Sequence, residues 1–245
     1  MKKCIICANC QGDAIAKILN YSDQFRSEYS VEFISNFEYI NEDKPFPVDI
    51  FSRADVFIYQ PIQRESHCSK EFLAALREDC VKISFPYIYN SGAFAVYVEN
   101  DKVIGREMFD EFIQAGATCD DIKRLVVTGV LDFRINERFN MSMDVLISRE
   151  AECDIKASDS IISNLRIKKV FFSQNHFTNA IMVPIATQIL DRIGLKLGDI
   201  EIPEQMNSFY WPVSPYEIEA LSLPLTPDDG WKEHMYRCID KVFAK

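Results

Sequence analysis

The chain is poor in the residues that build phosphate loops and metal centres. It has eight glycines in 245 residues and no Gly-x-Gly-x-x-Gly or Walker A pattern. Without those backbone N–H cradles, a Rossmann dinucleotide enzyme or a P-loop nucleotide enzyme is disfavoured. Three histidines are present, His67, His176 and His234, with no His-x-x-His, no His-Glu-x-x-His and no paired Cys-x-x-Cys, so no zinc site is expected. No apolar run approaches the ~20 residues that span a bilayer. The charged opening leads straight into strand-like residues without a signal-peptide pattern. The expectation is a soluble, cytoplasmic protein with no membrane span. Basic excess is also lacking: 27 Lys plus Arg face 37 Asp plus Glu, a net charge of −10. That argues against nonspecific binding to nucleic acid or anionic lipid, while leaving room for a local basic pocket. Pro/Gly/Ser-rich linkers and internal repeats are missing too, which points to a single domain.

What is present is a hydrophobic content of 48%, enough for a full core. Lys3 to Ala8 reads as a short strand buried on both faces. Asn9 to Gly12 turns the chain, and Asp13 to Tyr21 carries Ala14, Ile15, Ile18 and Leu19 at helical spacing. Further strands are expected at Val31–Ser35, Ala54–Tyr59 and Val81–Phe85, with a helix at Ser69–Glu78 between the last two. This alternation predicts an α/β fold with a mostly parallel, doubly wound sheet. Helical patterns then take over at Glu107–Gln114, Asp120–Val127, Glu137–Glu152 and Ser158–Leu165. Lys169–Ser173 reads as the last strand, Thr178–Ile193 as a long helix, and 203–227 as a proline-rich, aromatic surface segment before a closing amphipathic helix. The expected layout is an α/β core of 1–105 and 168–200, an inserted helical lobe at 106–167, and a C-terminal wrap and helix at 201–245.

The eight cysteines, at 4, 7, 10, 68, 80, 119, 153 and 238, are scattered and do not suggest a disulfide framework. Cys4-x-x-Cys7-x-x-Cys10 resembles the start of an iron–sulfur motif. On a strand, however, Cys4 and Cys7 point to opposite faces, and no fourth cysteine follows closely. Cys10 stands apart, after a strand and before a helix whose N-terminal dipole would favour a thiolate or an oxyanion. His176 lies in the exit turn of the predicted last strand. In open α/β sheets ligands bind outside the carboxyl ends of strands, so Cys10 and His176 form the leading pair for nucleophilic chemistry. The bland alternative is a small core cysteine and a loop histidine. The polar neighbours Asn9, Gln11, Gln174 and Asn175 weigh against it, since such groups need partners when buried. Gln60, Tyr87 and Gly92 occupy the same rim. They would orient a substrate or supply oxyanion donors, or else simply cap, pack and turn. His67 and His234 read as surface residues. Arg149, Glu150 and Asp154 read as a solvated helix face.

The ordered set Asn9-Cys10-Gln11, Gln60-Pro61-Ile62, Phe85-Pro86-Tyr87 with Gly92 downstream, Arg149-Glu150, and Asn175-His176 with Thr178 resembles the WcbI family of capsular polysaccharide biosynthesis proteins. The match runs from Lys3 to Leu223, and the Asn-Cys-Gln turn and the late Asn-His are its most specific parts. Two positions depart from the family pattern: Ala8 stands where Gly is more common, and Gly92-Ala93-Phe94-Ala95 lacks a proline.

The resemblance implies a coenzyme A-dependent acetyltransferase that decorates polysaccharide sugars. It also implies a layout related to SGNH/GDSL hydrolases, with Cys in place of the nucleophilic Ser. In that reading Cys10 and His176 are catalytic, with His176 the general base for the Cys10 thiol or for an acceptor hydroxyl. Asn9, Gln11, Gln60, Gly92 and Asn175 position groups or stabilise an oxyanion. Coenzyme A or acetyl-coenzyme A would run along the rim near Tyr87, with Lys168 and Lys169 as candidates for its phosphates. The partners are an acyl-coenzyme A and a sugar or polysaccharide acceptor. A thiol esterase or deacetylase on the same scaffold, and a noncatalytic coenzyme A- or glycan-binding protein, are the alternatives.

Overall fold

The computed structural model describes residues 1–62, 67 and 69–244. In chain order these form β1 (Lys2–Ala8), α1 (Cys10–Leu19), α2 (Asp23–Glu28), β2 (Tyr29–Ser35), α3 (Asn36–Asn41), α4 (Val48–Phe51), β3 (Val56–Tyr59), α5 (Ser69–Leu73) and β4 (Val81–Ser84). There follow β5 (Tyr97–Glu99), β6 (Lys102–Ile104), α6 (Glu107–Gln114), α7 (Cys119–Thr128), α8 (Ile135–Ala151), α9 (Ser158–Leu165), α10 (Asn179–Arg192), α11 (Pro215–Leu221) and α12 (Trp231–Phe243). The fold is mixed α/β. Two compact units interleave along the chain: Met1–Ile88 with Leu146–Ile161 and Phe177–Asn207, and Tyr89–Val145 with Ile162–His176 and Ser208–Lys245.

The first unit holds a four-stranded parallel sheet in the order β2-β1-β3-β4. Residues 4–8 of β1 are all fully buried, as a central strand requires when both its faces are covered. On one face, Ile5, Cys7 and Phe57 join Phe51 and Phe72 in an aromatic-rich cluster. Phe51 meets Phe57 edge-on at 4.9 Å, and Phe46 meets Phe72 at 5.1 Å. Full burial of a ring such as Phe51, Phe57 or Phe72 contributes on the order of 1.5–3 kcal/mol of transfer free energy. On the other face α1 lies against the sheet, and α10 packs on α1. Gly12 allows this close approach: a Cβ there would sit 2.5 Å from the Ala8 Cβ and 3.2 Å from Ile6 Cγ2. β1 connects through α1 and α2 to a neighbour on one side, whereas β3 lies on its other side. The carboxyl ends of β1 and β3 therefore flank the point where the chain's direction of progress reverses.

The second unit contains the antiparallel hairpin β5–β6. Its turn residues Asn100 and Asp101 both take positive φ, 45° and 63°, as a tight two-residue hairpin demands. α12 packs on α7 and on β5. A polar chain runs through this unit: Tyr89 donates to Glu99 Oε2 at 2.7 Å, Gln174 Nε2 donates to Glu99 Oε1 at 3.1 Å, and Trp211 Nε1 donates to Gln174 Oε1 at 2.9 Å.

Several expectations from the sequence are corrected. Lys169–Ser173 is not a strand of the sheet. The N–H groups of Phe172 and Ser173 both donate to the carbonyl of His176, so the segment folds back on itself and offers no ladder. The helix from Ser69 stops at Leu73, five residues earlier than expected. The 203–227 segment includes α11, started by a capping box in which Ser214 and Glu217 satisfy each other's backbone N–H groups.

Candidate functional site

In the first unit the site is built on the turn between β1 and α1. Asn9 caps α1, its side chain accepting from the Gln11 N–H at 3.0 Å. Cys10 is thereby the first residue of the helix and is exposed. Gln11 and Gln60, respectively 1% and 2% exposed, hold this turn in place. The Asn9 N–H donates to Gln60 Oε1 at 3.0 Å, and Gln60 Nε2 donates to Gln11 Oε1 at 2.9 Å. Gln11 Nε2 donates to the Ile88 carbonyl at 2.7 Å, and the Ile88 N–H returns a bond to Gln11 Oε1 at 3.3 Å. Side-chain amides thus tie together the exits of β1, β3 and β4. Gln11 and Gln60 fix the geometry beneath Cys10.

Although Cys10 is exposed as a residue, the protein around its sulfur desolvates it and pushes the thiol up from its ordinary value. The backbone N–H groups of Cys10 and Gln11 pull it down, and Asp13 adds a smaller upward push. The helix N-terminus acts on the sulfur as its sequence position suggested, but burial outweighs it. The resting group at neutral pH is the thiol, so a base must remove its proton before it attacks. Cys4 and Cys7 are core residues, both raised by burial, Cys7 to about 12.

One residue beyond this amide network opens a groove of about 360 Å³, lined by Pro61, Pro86, Tyr87, Ser148, Arg149, Glu152 and Cys153. The Arg149 guanidinium lies over the Tyr87 ring at 5.4 Å and donates to the Tyr87 carbonyl at 3.1 Å. Burial pushes Cys153 up to about 11. Of the face read as solvated, only Arg149 fits. Glu150 is buried and accepts from the N–H groups of Ala157 and Ser158 at 2.8 and 3.0 Å, at the start of α9. Asp154 accepts from the Ser84 N–H and hydroxyl, both at 2.9 Å, and pairs with Arg192 at 2.8 Å. Nothing local in the sequence marks Arg149 as a partner of Tyr87, 62 residues away.

In the second unit His176 is half-buried and packs edge-on against Phe209 at 5.6 Å. Burial lowers its pKa, and the Phe209 carbonyl partly offsets this. The ring is therefore neutral at pH 7, as a base must be. Its Nδ1 is buried without a hydrogen-bond partner among the described residues. Asn175 accepts from the Ser173 hydroxyl at 3.2 Å.

Gly92 donates its N–H to Asn90 Oδ1 at 2.9 Å. A Cβ on Gly92 would fall 2.1 Å from the Phe139 N and 2.6 Å from the Ile135 carbonyl oxygen, so this glycine exists for close approach to α8. Lys169 pairs with Asp228 at 3.4 Å and stands 4.0 Å above the Tyr210 ring. Lys168 is exposed, and both lysines border a cavity of only about 20 Å³, room for a single water. His67 and His234 are buried, against the expectation of surface positions. His67 bonds the Lys44 carbonyl at 3.1 Å and meets Phe46 edge-on. His234 bonds the Val96 carbonyl at 3.1 Å and lies against Trp211 at 4.8 Å.

No helix among the described residues is long and apolar enough to cross a membrane. A search of curated proteins finds no match. A solved structure described as WcbI, a polysaccharide biosynthesis enzyme, in its native form without a disulfide bond between coenzyme A and one of its cysteines, is similar over 100% of this chain and 90% of its own. The TM-score is 0.76 and the identity 17%, a likeness of fold. The family model for the polysaccharide biosynthesis enzyme WcbI matches residues 3–198. The chain belongs to the WcbI family of polysaccharide biosynthesis enzymes.

Proposed function

We propose that the protein transfers an acyl group, acetyl in the simplest case, from acyl-coenzyme A to a sugar hydroxyl during assembly of a capsule-type polysaccharide. The observation that carries this reading is the placement of Cys10. It is an exposed thiol on the first turn of α1, at the reversal point of a parallel sheet, with two backbone N–H groups on its sulfur and a satisfied amide network beneath it. Such a position presents a nucleophile where a developing oxyanion meets a helix N-terminus. On this reading the layout is SGNH-like, with Cys in place of Ser.

The acyl donor supplies the activated carbonyl. Cys10 is the attacking sulfur: it bonds the acyl carbon, the carbon–sulfur bond to coenzyme A breaks, and coenzyme A leaves as its thiol; the acceptor hydroxyl then takes the acyl group from Cys10, and His176, neutral at pH 7, is the base of the transfer. Asn9 caps the helix that carries the sulfur, and Asn175 adjoins the base. The residues of the Tyr87–Arg149 groove fit coenzyme A: an aromatic face suits a purine, and a guanidinium suits a phosphate. The similar WcbI structure, whose description mentions coenzyme A and a cysteine, supports the same donor.

Thermal shift tests the reading, because a ligand that binds only the native state raises Tm. Coenzyme A and acetyl-coenzyme A should both stabilise the wild type and Cys10→Ser, and should stabilise Arg149→Ala less. Cys10→Ser should lose transfer. The absence of any shift would favour a thiol esterase or deacetylase. A shift with no turnover on any sugar would favour a noncatalytic binding protein.

A further inference from the structure

His176 Nδ1 bonds nothing among the described residues, so no side chain grips the imidazole through that atom. The ring meets Phe209, whose side chain stands edge-on to it at 5.6 Å and whose carbonyl also acts on it. Phe209 is itself 42% exposed, so burial alone does not fix it. It packs edge-on against Trp211 at 4.7 Å. Trp211 is pinned twice: its backbone N–H donates to the Phe172 carbonyl at 2.7 Å, and its indole N–H donates to Gln174 Oε1 at 2.9 Å. Gln174 is buried, and the other end of its amide, Nε2, donates to Glu99 Oε1 at 3.1 Å. The Tyr89 hydroxyl holds the second Glu99 oxygen at 2.7 Å.

An indole N–H can only donate, and a carboxylate can only accept. Between the two, the Gln174 amide has one workable orientation, with Oε1 towards Trp211 and Nε2 towards Glu99. Without the carboxylate the buried Nε2 loses its partner, and nothing stops the amide from turning away from the indole. The main chain of the turn is fixed separately. The Gln174 carbonyl accepts from the Asn90 N–H at 2.8 Å, and the His176 carbonyl accepts from the Phe172 and Ser173 N–H groups at 2.9 and 3.3 Å. Those bonds place the His176 backbone but leave the torsions of its side chain free. We propose that Glu99 is a positioning residue for His176, acting through Gln174, Trp211 and Phe209 to hold the imidazole in one rotamer. Its purpose rests on the acyl-transfer reading, but the orientation of the ring is measurable with neither donor nor acceptor present.

The test is proton NMR of the imidazole Hε1 signals of the full chain at about pH 8, above the ordinary imidazole value. His176→Gln assigns the signal, and Phe209→Leu marks where it falls once the neighbouring ring is gone. Glu99→Leu should move the His176 signal towards the Phe209→Leu position. Glu99→Gln, which keeps an acceptor oxygen for Gln174 Nε2, should leave it near that of the wild type. In transfer from acetyl-coenzyme A, Glu99→Leu should lower kcat roughly tenfold to a hundredfold, the scale of a misplaced catalytic group. KM for the donor should not change, and Glu99→Gln should keep most of the rate. Trp211→Phe keeps a ring, removes the indole N–H and breaks the same chain one step later. It should reproduce both effects, and it takes the place of Glu99→Leu if that variant does not fold. A His176 signal indifferent to Glu99→Leu and Trp211→Phe overturns the proposal, and so does a Glu99→Gln signal displaced as far as that of Glu99→Leu. A displaced signal in these variants, with no acyl transfer by the wild type, would leave the positioning role standing and sink the acyl-transfer reading. Transfer by the wild type with an unmoved signal would do the reverse.

Discussion

Removing the Gln11 amide should unfasten the strand exits under Cys10, and the size of the effect follows from its bonds. Gln11→Leu keeps the volume but orphans three buried groups: the Ile88 carbonyl, the Ile88 N–H and the Gln60 Nε2. At about 1 kcal/mol for each unsatisfied group, the low end of the range, the loss is about 3 kcal/mol. Gln60→Leu orphans the Asn9 N–H and removes one of the bonds to Gln11 Oε1, for about 1–2 kcal/mol. The double variant leaves the two Ile88 groups and the Asn9 N–H unpaired, again about 3 kcal/mol. The singles therefore exceed the double by about 1–2 kcal/mol, which is the coupling a double-mutant cycle reads. Urea unfolding of the four proteins at one pH gives it directly, from midpoints at constant slope. If the two substitutions add within about 0.5 kcal/mol, the amides are not one network and the account of how Cys10 is held is wrong.

Gly92→Ala should destabilise by about 3 kcal/mol or more, because the new methyl meets helix backbone that cannot swing aside; a melting temperature within a degree or two of wild type would contradict the close packing seen there. His176 and His234 are both held below the ordinary imidazole value of 6.5, chiefly by burial. The unfolded chain therefore binds more protons than the folded one as pH falls below about 6.5, so stability should drop through that range and recover above it, and His234→Gln should flatten the slope. Urea midpoints that do not change between neutral and mildly acid pH would count against both burials. The Cys10 thiol, raised by burial, should be alkylated by iodoacetamide at a rate that keeps climbing past pH 9, read on its own peptide by mass spectrometry. A plateau at neutral pH would mean a resting thiolate.

The sheet was largely legible because its strands are buried on both faces and bounded by polar turns. Val56–Tyr59 and Val81–Ser84 each end two residues before a proline, and Cys10 stands out because a strand, a turn and a helix meet there. The Lys-Val-Phe-Phe-Ser stretch misled because a short apolar run is equally at home in a packed turn, and only the carbonyl of His176 decides which it is. The burial of His234 was hidden for a related reason: on α12 it borders the apolar stripe, and Trp211, far along the chain, covers it. Gln11 was visible as a polar residue in need of partners and Gln60 as a rim residue, but which partners they find depends on strand order, which no local pattern encodes. The aromatic run at 209–211 carried a signal in its composition, but its partners, at residues 172–176 and at Asp228, are marked by no local pattern.

The central claim is that the Cys10 sulfur carries the acyl group. Incubating the protein with acetyl-coenzyme A in the absence of acceptor, quenching in acid and weighing the intact chain and its peptides tests this most directly. One acetyl group should appear on the peptide that contains Cys10, should be absent from Cys10→Ser, and should discharge when a competent sugar is added. An unmodified Cys10, together with undiminished transfer by Cys10→Ser, would contradict the account.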